Sequence, residues 1–172
     1  MNLRDLLHGL TSEPIAAIPV SGVACHSKQV RAGDLFIAME GASMDGHAFI
    51  DEAIARGASA VIAQRLPGRY RTGGSTQPAR PCPCVIVGDS REALAVIAAR
   101  FYGHPSSKLR LVGVTGTNGK TTTTYLLKTM LEASGFRTGM LGTIVYQIGG
   151  RVVPSTNTTP GPLELQRYFA QM

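Results

Sequence analysis

The sequence has little of what marks secreted, fibrous or membrane proteins. It contains three cysteines and no tryptophan, and aromatic residues make up 6% of its 172 residues. An odd number of cysteines does not provide a disulfide framework, so the composition indicates a reducing compartment. The longest apolar run, residues 93–99, is far shorter than the ~20 residues that a membrane-spanning helix needs. The first residues carry charges of both signs and no apolar core of the signal-peptide type. We therefore expect a cytoplasmic globular protein with no membrane partner.

The net charge of +6 is concentrated in one segment. Residues 64–83 contain Arg65, Arg69, Arg71 and Arg80 and no acidic residue, so they supply four of the six charges. Their many glycines and prolines, without periodicity, predict a surface loop. A nucleic-acid surface needs basic residues along an ordered element, often with aromatic residues between them, and this segment has one tyrosine. We expect no nucleic-acid partner.

The first hundred residues alternate between strand-like and helix-like patterns. Leucines at positions 3, 6, 7 and 10 have helical spacing, and apolar residues from 49 to 54 repeat helically before Gly57. A third helix is predicted at 93–102, with Asp89 and Glu92 at capping-box spacing. Strands are predicted at residues 20–25, 35–39, 60–63 and 84–87. This alternation predicts an α/β layer with a mainly parallel sheet.

A second domain is predicted to follow a linker at residues 103–107. The pattern predicts a strand at 109–114, a turn at 115–119 and a helix from Lys120 to about residue 134. The apolar stripe of that helix comprises Thr123, Leu126, Leu127, Met130 and Leu131. A hairpin around Gly149-Gly150 and a helix from Pro162 come next. We therefore predict domains at 1–104 and 105–172. These few elements cannot cover both faces of a parallel sheet, so we expect the second domain to be incomplete and the chain a fragment.

The strongest chemical signal lies between the predicted strand and the helix at Lys120. Glycines at 116 and 119 let the backbone amides turn inward around an anion, and the helix N-terminus adds partial positive charge. Lys120 can reach the β- and γ-phosphates of a nucleoside triphosphate, and the Thr121 hydroxyl can join a Mg²⁺ shell. Val114 stands where the general phosphate-loop pattern and the dinucleotide fingerprint both require glycine. The alternative is a glycine-rich turn that binds nothing.

The loop Gly-Thr-Asn-Gly-Lys-Thr-Thr at residues 116–122 resembles the ATP loop of the Mur ligases and the related folylpolyglutamate synthetases. Ser27-Lys28, residues 31–38, Asp45-Gly46-His47 and Gly57-Ala58 resemble the N-terminal domain of Mur ligases. Gly142-Thr143 and Asn-Thr-Thr-Pro at 157–160 favour the branch that extends UDP-N-acetylmuramoyl-L-alanyl-D-glutamate. The implied fold is an N-terminal α/β UDP-binding domain followed by the start of a P-loop, Rossmann-like ATPase domain.

The resemblance implies an ATP-dependent, amide-forming ligase of peptidoglycan precursor synthesis. ATP would phosphorylate the D-glutamyl carboxylate, and the amine of a diamino acid (meso-diaminopimelate or lysine) would displace phosphate. Lys120 would be the catalytic residue, and Thr121 would contact Mg²⁺. The implied ATP-binding residues are Gly116, Thr117, Asn118, Gly119, Lys120, Thr121 and Thr122. The implied precursor-binding residues are Cys25 beside the uracil, Ser27 at the uridine diphosphate, and Asn157, Thr158 and Thr159 at the muramoyl end.

Some positions have a simpler structural interpretation. The family pattern around Ser27 is Asp-Ser-Arg, whereas this chain has His26-Ser27-Lys28, and a serine here can also cap a turn. Residues 41–46 match a family loop that touches the uridine, but turn chemistry favours a turn and helix cap for Asp45 and His47. Residues 157–159 can form a polar turn without a ligand. The spacing of Cys82 and Cys84 fits no zinc site.

Three other functions compete with this interpretation. They are a sibling ligase that adds D-Ala-D-Ala to the tripeptide precursor, a non-catalytic UDP-sugar-binding module, and an ordinary P-loop kinase or GTPase. A module of the second kind would ignore ATP, and a kinase needs an acidic Mg²⁺ ligand after a downstream strand. We expect the 172 residues alone to bind without ligating, and we take a monomer as the default state.

Overall fold

The computed structural model describes residues 1–41, 44–67, 82–155 and 157–172. The chain forms two compact units, Met1–Phe101 and Tyr102–Met172. Among the described helices, none has the length and apolar character needed to cross a membrane.

The first unit is built on a four-stranded parallel sheet in the order β1-β2-β3-β4. The strands are β1 Gly22–Ala24, β2 Asp34–Ile37, β3 Ala60–Ala63 and β4 Cys84–Ile86. Every residue of β2 and β3 is buried, as expected for central strands of a parallel sheet covered on both faces. The predicted parallel α/β sheet is therefore confirmed.

Three helices accompany this sheet: α1 Leu3–Leu7, α2 Ile50–Ala55 and α3 Ser90–Phe101. The leucines of α1 are buried, and the Arg100 guanidinium of α3 donates to the Leu6 carbonyl at 2.8 Å. Asp89 Oδ1 accepts from the N–H groups of Arg91 and Glu92 at 2.7 and 3.2 Å, so the cap predicted for α3 is present. One core cluster joins the sheet to α2 through Ala24, Phe36, Val61 and Ile50, and it also contains Val30 and Cys82.

The second unit combines a three-stranded antiparallel sheet with two helices. Its elements are α4 Lys120–Ala133, β5 Met140–Leu141, β6 Val145–Ile148, β7 Arg151–Pro154 and α5 Pro162–Phe169, in sheet order β5-β6-β7. The predicted hairpin is confirmed, with Ile148 opposite Arg151. Gly149 and Gly150 connect these strands with φ of +53° and +82°, which side chains disfavour and a two-residue hairpin turn requires.

Two expectations for this unit were wrong or incomplete. Residues 109–114 form no strand, because no described segment of the unit pairs with them, and Leu111 and Val112 are 53% and 70% exposed. Residues Pro105–Lys108, partly within the predicted linker, form a 3₁₀ helix. The predicted stripe of α4 is largely open to solvent, with Leu126 and Met130 at least 60% exposed. The short strand β5 was not predicted, since two residues carry no periodicity.

Candidate nucleotide-binding sites

The predicted phosphate loop leads directly into α4. Gly119 is the N-cap residue of α4 with φ +81°, and its carbonyl accepts the N–H of Thr123 at 2.9 Å. Among the described residues, the backbone N–H groups of 116–122 have no backbone acceptor. Residues 115–119 are also exposed. The loop therefore presents unpaired donors at a helix N-terminus, the arrangement that binds anions.

The Lys120 side chain folds back over this loop. Its ammonium donates to the carbonyls of Gly116 and, at 3.3 Å, of Thr117. The positive charge thus lies beside the same turn that presents the unpaired amides. The Thr121 side chain is partly buried in the first turn of α4, and its carbonyl accepts from the Thr124 hydroxyl at 2.8 Å. Cation, amides and hydroxyl together suit a polyphosphate.

The carboxyl ends of the parallel strands in the first unit place Cys25 and Ser27 after β1. Cys25 is partly buried, and Ser27, 8% exposed, begins a 3₁₀ helix, Ser27–Gln29. The Ser27 hydroxyl donates to Glu52 Oε2 at 2.7 Å, and Arg56 Nε donates to Glu52 Oε1 at 3.2 Å. These hydrogen bonds lower the pKa of Glu52, and the bond from Ser27 has the largest effect. Sequence patterns gave no sign that Glu52 would hold this serine.

The turn and cap predicted at Asp45 and His47 are confirmed. Asp45 Oδ1 accepts from the His47 N–H at 3.0 Å and contacts His47 Nδ1 at 2.5 Å, while Arg65 Nη2 lies 2.5 Å from Asp45 Oδ2. His47 Nε2 accepts from the Gln64 N–H at 3.3 Å, so the neutral ring carries its proton on Nδ1. The His47 backbone N–H, aided by the His47 and Arg65 side chains, lowers the pKa of Asp45 to about 2.

This network joins the segment after β2 to the segment after β3. Ligands of open parallel sheets bind outside the carboxyl ends of the strands, so the network borders the expected site. Arg65 is 59% exposed and its contacts were not predicted, because its partners are distant in sequence. Of the predicted uridine loop at 41–46, residues 42 and 43 lie outside the described residues. So do residues 68–81, which contain most of the predicted basic loop.

The predicted muramoyl-binding segment belongs to the second unit and is anchored by Tyr146. This buried side chain donates its hydroxyl proton to the Asn157 carbonyl and accepts the Asn157 N–H at 3.2 Å. The hydroxyls of Thr143 and Thr158 lie 3.2 Å apart. Thr158 and Thr159 line a cleft of about 1280 Å³ that α4 and the β5-β6-β7 sheet also border. The sequence analysis did not identify Tyr146 as an anchor, because the direction of its side chain depends on the register of β6 in the sheet.

Cys25, Cys82 and Cys84 form no disulfide in the described part of the chain. The pKa of Cys82 is raised to about 12, mainly by burial and to a smaller extent by the neighbouring Cys84. Within the described residues, no group of three or more His, Cys, Asp or Glu side chains is placed to hold a metal ion. Thr121 stays the one metal-binding position that the sequence predicts.

Each of the two units matches a known protein-family model. The family model described as "Mur ligase family, catalytic domain" matches residues 19–102, and "Mur ligase middle domain" matches residues 114–172. The chain belongs to the Mur ligase family. Two curated members align with the whole chain, both named UDP-N-acetylmuramoyl-L-alanyl-D-glutamate–2,6-diaminopimelate ligase. The one from Caldanaerobacter subterraneus is 45% identical and that from Clostridium acetobutylicum 39% identical. The chain spans about a third of the length of these relatives (34%).

Solved structures of Mur ligases share the fold. A Mur ligase structure, UDP-N-acetylmuramoyl-L-alanyl-D-glutamate–2,6-diaminopimelate ligase, matches 99% of this chain with a TM-score of 0.70 and 22% identity, covering 33% of that chain. The MurF ligase from Thermotoga maritima in complex with ADP matches 88% of this chain with a TM-score of 0.52 and 31% identity, covering 30% of that chain. The expected α/β fold is therefore confirmed as that of Mur ligases.

Proposed function

We propose that this chain supplies the UDP-binding unit and the ATP loop of an ATP-dependent ligase in peptidoglycan precursor synthesis. The ligase would join 2,6-diaminopimelate to UDP-N-acetylmuramoyl-L-alanyl-D-glutamate in the cytoplasm. The observation that carries the proposal is the exposed loop of unpaired amides and Lys120 at the start of α4. The names of relatives 39–45% identical over the whole chain support the choice of substrates.

The residues present fit the phosphates of ATP. The unpaired N–H groups of 116–122 would surround the phosphate oxygens, and Lys120 would exchange its loop carbonyls for the β- and γ-phosphates. Thr121 would contribute its hydroxyl to Mg²⁺, which when bound neutralises phosphate charge. In the ligation, the D-glutamyl carboxylate oxygen bonds to the γ-phosphorus as ADP leaves. The free amine then forms the C–N bond as phosphate leaves and the amine loses a proton. Lys120 stabilises negative charge that develops during the first step.

Each unit would supply its own contacts with the precursor. Cys25 and Ser27 would contact the uridine diphosphate end at the sheet edge of the first unit. Asn157, Thr158 and Thr159 would contact the muramoyl end, since Tyr146 holds that segment in place beside the cleft. We also propose that the chain is monomeric and that these 172 residues bind both substrates without forming the amide. The curated ligases are about three times as long, which supports that restriction.

Calorimetric titration with ATP–Mg²⁺ and with the UDP precursor tests this function. A charge-assisted contact to phosphate is worth about 1.5–3 kcal/mol, so Lys120→Ala should weaken ATP binding by about 10- to 150-fold. Arg167→Ala removes an exposed cation of the same unit that does not line the cleft, and it should leave ATP affinity unchanged. Precursor binding should survive both changes. Unaltered ATP binding by Lys120→Ala would contradict the assignment of the loop.

A sibling Mur ligase is the second candidate, because the Thermotoga maritima MurF structure is 31% identical to this chain. The same titration separates the two. Preference for the L-alanyl-D-glutamate precursor supports the proposed step, whereas preference for the tripeptide precursor would support the sibling. Detectable amide formation by the chain would overturn the proposal that it binds without ligating.

A further inference from the structure

Ser27 is held by a charged partner on a different element. The serine is 8% exposed, and its hydroxyl lies 2.7 Å from Glu52 Oε2 on α2. The other carboxylate oxygen of Glu52 accepts from Arg56 Nε, one helical turn further along, at 3.2 Å. Serine, carboxylate and guanidinium therefore form a chain of hydrogen bonds in which each oxygen of Glu52 has its own donor.

In the hydrogen bond between Ser27 and Glu52, the serine hydroxyl is the donor. An ionised carboxylate only accepts hydrogen bonds, and these contacts keep Glu52 ionised by lowering its pKa. A serine hydroxyl has a single hydrogen and two lone pairs. Because that hydrogen is committed to Glu52 in a charge-assisted bond, Ser27 can offer a ligand only its lone pairs.

We propose that Glu52 is a positioning residue that fixes Ser27 as a hydrogen-bond acceptor, so that Ser27 recognises a donor group of the nucleoside rather than the diphosphate. This inference rests on the proposed function, in which the first unit binds the uridine diphosphate end. The diphosphate of a nucleotide sugar carries no proton at neutral pH and cannot donate to Ser27. The donors of uridine are the imide N–H of the base and the ribose hydroxyls, and either class satisfies the lone pairs of Ser27.

The experiment measures the affinity of the 172-residue chain for UDP by calorimetry in four single variants and one double variant. Ser27→Ala and Glu52→Ala should each weaken UDP binding about tenfold, the value of one good hydrogen bond. Ser27→Ala combined with Glu52→Ala should be no weaker than Ser27→Ala alone, because both changes remove one interaction. Glu52→Gln should bind within about twofold of the parent, since its amide oxygen still accepts from Ser27. Glu92→Gln alters an exposed carboxylate in the first turn of α3 and should have no effect.

Modified ligands identify the donor. The chain and Ser27→Ala are titrated with 3-methyl-UDP, 2′-deoxy-UDP and 3′-deoxy-UDP, and with inorganic pyrophosphate as the diphosphate probe. The analogue that lacks the recognised donor should bind both proteins equally, whereas the other two analogues should still distinguish them. Pyrophosphate affinity should not depend on Ser27. A purely structural role for Glu52 would not produce this ligand selectivity, and thermal unfolding of each variant checks that it is folded.

Each other result contradicts the inference. If Glu52→Ala binds UDP more tightly than the parent, the freed hydroxyl donates to the ligand, and the inference is wrong. If Ser27→Ala weakens pyrophosphate, Ser27 contacts the diphosphate, and the inference is again wrong. Failure of the unmodified chain to bind UDP would overturn the proposed precursor site and this inference with it. If the chain binds UDP and substitution of Glu52 does not change the affinity, this inference is wrong but the proposed precursor site still stands.

Discussion

Replacing Tyr146 with phenylalanine should loosen the Asn157–Thr159 segment without disturbing the core around it. The Tyr146 ring is fully buried and packs against Tyr168 with ring centroids 5.3 Å apart, and a phenylalanine ring keeps this contact. The hydroxyl joins β6 to Asn157, donating to its carbonyl and accepting its N–H. The substitution therefore removes these two hydrogen bonds.

The expected magnitude follows from these two bonds. Two neutral hydrogen bonds contribute about 1–3 kcal/mol together. Asn157 is exposed, so water replaces part of what is lost, and we expect the low end of that range, about 1 kcal/mol. That energy corresponds to about fivefold faster opening of the segment.

Amide hydrogen exchange of Asn157, followed by NMR, measures this opening directly. Exchange should accelerate about fivefold in Tyr146→Phe, while amides in the core strands of the first unit remain unaffected. Tyr125→Phe makes the same chemical change on α4 and should leave Asn157 exchange unchanged. If Tyr146→Phe also leaves that exchange unchanged, the hydroxyl does not anchor the segment and the reasoning fails.

Two further predictions concern ionisable groups of the first unit. Because the pKa of Asp45 falls from 3.8 to about 2 on folding, its stabilising contribution is complete above pH ~4 and is lost as the pH falls towards 2. Urea unfolding of the chain and of Asp45→Asn should accordingly differ at pH 5 and converge near pH 2, and a constant difference across that range would count against the Asp45 network. Burial and a pKa of about 12 should keep Cys82 unreactive towards a disulfide reagent at pH 8, while the partly buried Cys25 and Cys84 react in the folded chain. Equal reaction rates at all three thiols would show that Cys82 is not protected.

The sequence predicted the first unit well because its signals are local. The strand at Ala60–Ala63 was located to the residue, and the capping aspartate at position 89 accepts N–H groups at the start of α3. Continuous apolar runs such as 35–39 are typical of strands buried on both faces, and β2 has this environment. Glycine pairs and capping residues act within a few positions, so their effects are visible without the tertiary structure.

The failures in the second unit depend on partners that are distant in sequence. A strand at 109–114 needs a neighbouring strand, and no described segment of that unit pairs with it. The stripe on α4 predicts an apolar face, but the sequence does not state what covers it, and Leu126 and Met130 are exposed. Helical spacing therefore located the helix correctly, whereas burial of its apolar face depends on residues that are distant in sequence.

The candidate site also combines residues that a short motif predicts with residues that only the folded structure brings together. The phosphate loop is recognisable because its glycines, lysine and threonine are consecutive and precede a helix. Glu52 behind Ser27, Arg65 beside Asp45 and Tyr146 behind Asn157 are 25, 20 and 11 residues from their partners. No short motif records such pairs, so the side chains that position the predicted binding residues emerged only from the fold.

The most direct test of the central claim is NMR of the isotopically labelled chain titrated first with UDP-N-acetylmuramoyl-L-alanyl-D-glutamate and then with ATP–Mg²⁺. The account predicts that the precursor shifts the amide signals of Cys25, Ser27 and residues 157–159, and that ATP then shifts those of 116–122. Saturable precursor binding that leaves Cys25 and Ser27 unshifted, or ATP binding that leaves residues 116–122 unshifted, would contradict it.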